Sequence, residues 1–189
     1  MDLYEAFEKR HSVRSFSPEP VPEELIDKLI YAASLAPSSL NEQPWRFYVT
    51  RGESRTKLGH IMAQSTSYLE EYLKILGKEM DDHVAQWYSE LGGAPVVIAC
   101  TMPRAQDDFA RLNKHIAAGA AIENMLLAAT DVGLGACMVT FSFWVRDDIG
   151  RELGIPEDRA IVAMVILGYP SDEPPLAPPK SHDVGVYLD

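Results

Sequence analysis

Between Ile116 and Thr130 only Glu123, Asn124 and Thr130 are polar. The spacing predicts a helix over 113–132, closed by Gly133-Leu134-Gly135. A surface helix shows one apolar stripe. This one is apolar nearly all round, with Ala117, Ala118, Gly119, Ala120 and Ala121 crowded together. It must be covered on every side. Either it threads the centre of a monomer, or it packs one face on its own core and another on a second copy of the chain. The cluster of small residues favours the second arrangement, a homodimer.

The rest of the chain must then build around that helix. At 189 residues it is long enough for one domain with its own core. Apolar residues make up 47% and charged residues 24%, which excludes a disordered chain. There are 17 basic against 28 acidic residues, a net charge of −11, which argues against a nucleic-acid surface. Cys100 and Cys137 form no CxxC and sit in apolar runs, so buried reduced thiols and a cytoplasmic setting are expected. The longest apolar stretch, Ala160 to Gly168, is far short of a membrane span, and Met1 to Glu5 lacks a signal core. No membrane partner is expected.

Asp2 to Lys9 reads as a short helix. Val21-Pro22-Glu23-Glu24 starts a second, with Leu25, Leu29, Ala32, Ala33 and Ala36 as its buried stripe and Pro37 as its stop. Arg55 to Gln64 and Tyr68 to Leu91 are helical, with a weak joint near Gly77. Arg146 to Leu153 is a short helix ended by Gly154. Strands are expected at Arg46–Thr50, Ala94–Thr101, Ala136–Thr140 and Ala160–Leu167. Five prolines between Pro170 and Pro179 preclude regular structure, so 170–189 reads as an extended C-terminal arm. Few strands, joined by long helical connections, predict a small sheet with helices on both faces.

Three segments could carry chemistry. Lys9-Arg10-His11-Ser12-Val13-Arg14 is strongly basic in an acidic chain, and two guanidiniums four residues apart can converge on one phosphate. A solvated basic turn explains the charge equally well. Pro37-Ser38-Ser39-Leu40-Asn41-Glu42-Gln43-Pro44 is a turn crowded with small polar groups. Its Asn41 and Gln43 amides pair a donor with an acceptor, which suits the edge of a heterocycle. Gly133-Leu134-Gly135 precedes Met138-Val139-Thr140 and lets a backbone approach something flat, although a helix C-cap also accounts for Gly133. No GxGxxG follows a strand, so no separate dinucleotide fold is present to hold nicotinamide. His60, His83 and His115 are too dispersed for a metal site and are expected on the surface. Asp81-Asp82 and Asp107-Asp108 read as solvated acids, and Trp87, Tyr88, Phe109, Phe141, Phe143 and Trp144 as core.

Taken together, Arg10-His11-Ser12-Val13-Arg14-Ser15-Phe16 and Ala36-Pro37-Ser38-Ser39-Leu40-Asn41-Glu42-Gln43-Pro44-Trp45 resemble the paired signature of the nitroreductase family of flavin enzymes. The likeness runs on through Ala94 to Ile98, Ala121 to Ala129, Gly133 to Gly135 and Leu167 to Pro170. In all it covers Leu3 to about Lys180 in order. It implies a single α+β domain over 1–189, with a mixed, mostly antiparallel sheet flanked by helices, working as an intertwined homodimer. It also implies FMN bound at the interface. Arg10, His11, Ser12 and Arg14 would hold the phosphate and the ring's polar edge, with Lys180 as a late phosphate contact. Pro37, Ser38, Ser39, Asn41 and Gln43 would come from the partner chain, and Met138, Val139 and Thr140 would line the ring. Ser181 and His182 stand where a second basic residue often follows, so the phosphate grip is lighter or His182 shares it.

The activity implied is hydride transfer from NADH or NADPH through flavin N5 to a small electron-poor acceptor, a nitroaromatic or quinone, in a ping-pong cycle. Dehalogenation, breakdown of the flavin itself, and a non-catalytic flavin-binding dimer are the alternatives. The stretch 66–93 matches no motif, so the acceptor stays open.

Overall fold

Residues 96–102 are buried on both faces of the backbone, which a strand achieves only inside a layered sandwich. In the computed structural model, which describes residues 1–68, 78–171, 184–186 and 188 (and no side chains over 78–82), this strand is β2, Val96–Pro103. It lies between β1, Arg46–Thr50, and β4, Arg159–Gly168; β3, Gly135–Val139, completes the order β1-β2-β4-β3. All three strand pairings are antiparallel. Among the described residues, the parallel component of the expected mixed sheet is one bridge, Ser12 to Ala136.

Alternation along the two central strands divides the core. Val96, Ile98, Cys100, Met102, Ala163, Val165 and Leu167 face α2, Glu23–Ser34, and α5, Asp108–Asp131. Val97, Ala99, Met164 and Ile166 face Leu58 and Met62 of α3, Gly52–Ala63, and Ile149 of α6, Arg146–Glu152. Helices α1, Leu3–Lys9, and α4, Lys78–Glu90, are the other two among the described residues. This is the expected α+β sandwich.

Several boundaries moved for physical reasons. Helix α5 begins at Asp108 instead of Asn113, because the Asp107 carboxylate accepts the Ala110 N–H at 2.7 Å and caps it. Asp107 is therefore a cap, not a merely solvated acid. In α2 the buried stripe is Ile26, Leu29 and Ala33, with Leu25 and Ala32 only partly covered. Helix α3 starts at Gly52, earlier than expected, and 64–68 is a 3-10 turn. Of the helix expected over 68–91, residues 78–90 are helical and 69–77 lie outside the described residues.

Helix α5 is about 36 Å long. One face buries Ala117, Ala118, Ala121, Ile122, Met125, Leu126 and Ala129. The opposite face leaves Phe109, Leu112 and Ile116 exposed, and nothing lies within 4 Å of a Cβ built on Gly119. The helix is thus apolar on both sides but covered by its own chain on one. Phe109 and Phe143 are exposed, against the expectation that both were core. His60, His83 and His115 are exposed as expected.

Candidate functional site

Helix α1 ends at Arg10, whose N–H closes onto the Ala6 carbonyl at 2.9 Å. The chain then runs extended beside the outer edge of β3, where the Val13 N–H donates to the Ala136 carbonyl at 3.1 Å. A side chain on Gly135 would lie 2.8 Å from Val13, so glycine permits this approach. The β3 alternation turns Met138 outward and buries Val139, whose contribution to a site is therefore its backbone. Thr140 is exposed at the strand's end.

Ser12 is within hydrogen-bond reach of Cys137, and the charges of Arg10 and Arg14 are near enough to act on it. Burial pushes its thiol above the ordinary value, opposed by the Arg14 charge, a hydrogen bond with Ser12 and the Arg10 charge. Arg10 Nε also pairs with Glu123 of α5 at 3.1 Å. His11 Nδ1 lies 2.8 Å from the Lys9 carbonyl, while its Nε2 is buried with no partner. A buried ring nitrogen without a partner is costly unless a ligand supplies one. Two guanidiniums, a hydroxyl and an unsatisfied imidazole nitrogen beside an exposed Met138 are a donor set that fits a phosphorylated flavin.

The second expected cluster follows α2. The Gln43 N–H donates to Ser38 Oγ at 3.0 Å, and Gln43 Nε2 to Asn41 Oδ1 at 3.3 Å. Leu40, Asn41 and Gln43 all have positive φ (51°, 55° and 46°), a conformation that Leu and Gln adopt only at a cost. Pro37, Ser39, Asn41 and Gln43 are exposed and Ser38 half-buried. This turn flanks a cavity shared with Phe109, Asn113 and Ala117 on the first half of α5. The Arg10 cluster, by contrast, meets α5 at Glu123. Ten residues of helix, about 15 Å, separate Asn113 from Glu123. The two clusters do not converge within one chain. Lys180 and His182 lie outside the described residues.

Three contributors carried no sequence signal. Glu123 sits in an apolar run. Trp87 and Gly92 lie in the unassigned 66–93 stretch, yet both touch the Arg14 carbonyl region. Tyr88, pushed up to about 12 by burial, feels Cys137 and Arg14 nearby. Among the described residues no group of His, Cys, Asp or Glu is arranged to hold a metal ion. Nor is any described helix long and apolar enough to cross a membrane.

This architecture is shared with known proteins. The 5,6-dimethylbenzimidazole synthase of Rhodospirillum rubrum is 30% identical over 178 residues, covering 90% of this chain and 82% of that protein. The crystal structure of a BluB-like flavoprotein from Clostridium difficile 630 matches over 100% of both chains, with a TM-score of 0.83 at 24% identity. The FMN-dependent nitroreductase NfnB of Mycobacterium smegmatis, solved in complex with NADPH, also matches over 100% of both chains, at 0.80 and 22%. The family model described as "Nitroreductase family" matches residues 7–169, a span holding the Arg10–Arg14 segment, the Pro37–Gln43 turn and all four strands. With that match over most of its length, the chain belongs to the nitroreductase family.

Proposed function

We propose that this protein is an FMN-dependent oxidoreductase that passes reducing equivalents from NADH or NADPH to a small electron-poor acceptor. The observation that carries this reading is that the Arg10–Arg14 segment, with its two guanidiniums and the Ser12 hydroxyl, is seated along the outer edge of β3 beside a buried and partnerless His11 Nε2. When bound, FMN would supply the redox chemistry, carrying two electrons from the nicotinamide to the acceptor, with protons exchanged with solvent. Between them, Arg10 and Arg14 hold the phosphate and offset negative charge on the ring's polar edge. Lys180 adds a further phosphate contact. Met138 lines the ring, with the backbone of Val139 and Thr140 near its reactive nitrogen.

The active form is a homodimer in the cytoplasm. Pro37, Ser38, Ser39, Asn41 and Gln43 complete the site from the partner chain, because in their own chain they lie about 15 Å along α5 from the Arg10 pairing. The exposed Phe109, Leu112 and Ile116 supply the apolar contact between chains.

The purified protein is expected to absorb near ~450 and ~370 nm and to bleach anaerobically with NADH or NADPH. Steady-state plots at several nicotinamide levels, with a quinone or nitroaromatic acceptor, are expected to be parallel. A protein that takes up no FMN, or one giving intersecting lines, refutes the proposal. A second reading keeps the site but changes its chemistry to breakdown of the flavin; one relative at 30% identity is named for a synthase activity and not for acceptor reduction. Its mark is oxygen-dependent loss of the flavin chromophore instead of sustained acceptor reduction.

A further inference from the structure

A cavity of about 470 Å³ lies beside α6, where β2 leaves the sheet and β4 enters it. Arg104, Arg146, Arg151 and Arg159 line it. Four of the chain's ten arginines thus meet at one place in a protein of net charge −11.

The fold builds this meeting deliberately. Cys100 pairs with Ala163 but Thr101 pairs with Ile161, so Val162 is an extra residue in β4. Ala163, Val165 and Leu167 face α5, and by plain alternation Ile161 and Arg159 would face it too. The bulge instead turns Ile161 to the α6 side, where it packs with the cluster that holds Ile149, and Arg159 joins the cavity wall. The opposite wall is the turn after α6. Gly154 takes φ +62° there, and the Ile155 N–H donates back to the Gly150 carbonyl at 2.9 Å. Arg104 closes the end: its N–H donates to the Asp158 carbonyl at 2.7 Å and its Nε to the Glu157 carbonyl at 2.8 Å.

Carboxylates answer only part of this charge. Asp147 and Glu157 also line the cavity, with Asp147 3.6 Å from Arg104 Nη2, and Arg151 pairs with Asp148. Arg146 and Arg159 form no ion pair among the described residues. Arg146 lies 4.1 Å over the Phe143 ring. Arg159 is half-buried and donates only to neutral oxygens: Thr101 Oγ1 and the Thr101 carbonyl, each at 3.0 Å, and the Pro44 carbonyl at 2.7 Å. Burial pushes its guanidinium below the ordinary value. A desolvated cation without a carboxylate gains from an incoming anion.

We propose that this cavity binds a small organic anion, its phosphate or carboxylate head held by Arg146 and Arg159 and its apolar body against Pro156 and Ile161. Forked guanidiniums match either head, and the volume is that of a small-molecule site. Arg159 stands five residues of β4, about 16 Å, from Met164, the partner of Val139 in the sheet. The cavity opens on the α6 side, away from the α5 face that meets the second chain in the proposed dimer. It therefore does not depend on the flavin reading.

The test is calorimetric titration of the purified protein with phenyl phosphate and with benzoate, each with and without saturating FMN. At least one probe is expected to bind once per chain with a Kd below about 1 mM, unaffected by FMN. The tighter probe names the head group, and neutral phenol should bind at least about tenfold more weakly. Arg146→Gln and Arg104→Gln, with native circular dichroism, are each expected to weaken the probe about tenfold; if one does not fold, the other decides. Displacement of the probe by FMN would put it in the Arg10 cluster and overturn the proposal. So would binding of neither probe at about 10 mM, or affinity unchanged in the folded arginine variants.

Discussion

Gly135→Ala tests whether the phosphate segment is seated on β3 by close packing. Gly135 is not in the left-handed region, so alanine brings no backbone strain there. Its methyl would lie 2.8 Å from Val13 Cβ, Cγ1 and Cγ2, where ordinary contact begins near 3.4 Å. Val13 is buried and its N–H is bonded to the neighbouring Ala136 carbonyl, so the segment yields only by lifting off the strand. Overpacking of this kind costs about 1–3 kcal/mol. Val13→Ala alone removes two buried methyl groups and costs about 1.5–2 kcal/mol. It also removes two of the three close contacts. The double variant is therefore expected to fall short of the sum of the singles by about 1 kcal/mol, measured by urea unfolding. FMN affinity should drop in Gly135→Ala and recover in part in the double variant, since Ser12 and Arg14 flank Val13. Stability changes that add within about 0.5 kcal/mol would show that the two residues do not press on each other, and would refute the reasoning.

Arg10→Ala should weaken FMN by about 2–5 kcal/mol, because it removes a phosphate partner and leaves Glu123 unpaired beside the site. Adding Glu123→Gln should restore part of that loss in the same FMN titration. Burial pushes Cys100 up to about 12, so at pH ~8 it is a protonated, unreactive thiol, and Cys137 is shifted in the same direction. An aromatic disulfide reagent should find neither thiol in the native protein and both after unfolding. A Cβ added at Gly119 meets nothing within 4 Å in its own chain, and Gly119→Leu improves helix propensity by about 0.5–1 kcal/mol. Sedimentation should nonetheless show it losing the dimer, and FMN with it, while circular dichroism stays native.

Much of the fold could be read from the chain because burial leaves a plain trace in composition. Val96 to Cys100 and Ala160 to Leu167 are apolar on consecutive positions, as strands covered on both faces must be. The start of α5 was hidden because Arg104 to Leu112 has no apolar period; a single carboxylate at Asp107 organises it. The aromatics misled for a related reason. Phe109 and Phe143 are the kind of residue that cores contain, and only the three-dimensional packing shows that this chain leaves them uncovered. At the site, Arg10 to Arg14 were legible as an unusual density of cations. Trp87 and Gly92 were not, because Trp87 lies 73 residues from the carbonyl it holds and its sequence neighbours carry no pattern.

The last step is one of symmetry. The two polar clusters lie against different parts of α5, one around Phe109 to Ala117 and the other at Glu123. Residue 118 is midway between Asn113 and Glu123, next to the exposed and unobstructed Gly119. Suppose two copies of α5 cross antiparallel near that glycine, about a two-fold axis. The Ser38–Gln43 turn of each chain is then carried towards the Arg10–Arg14 segment of the other, and this happens twice, because a two-fold contact is isologous. Gly119 would allow the close approach, and Leu112 and Ile116 would flank it with apolar surface. The same helix, apolar on both sides, would thereby dictate that the sites come in pairs. It would also make loss of the dimer and loss of the cofactor a single event.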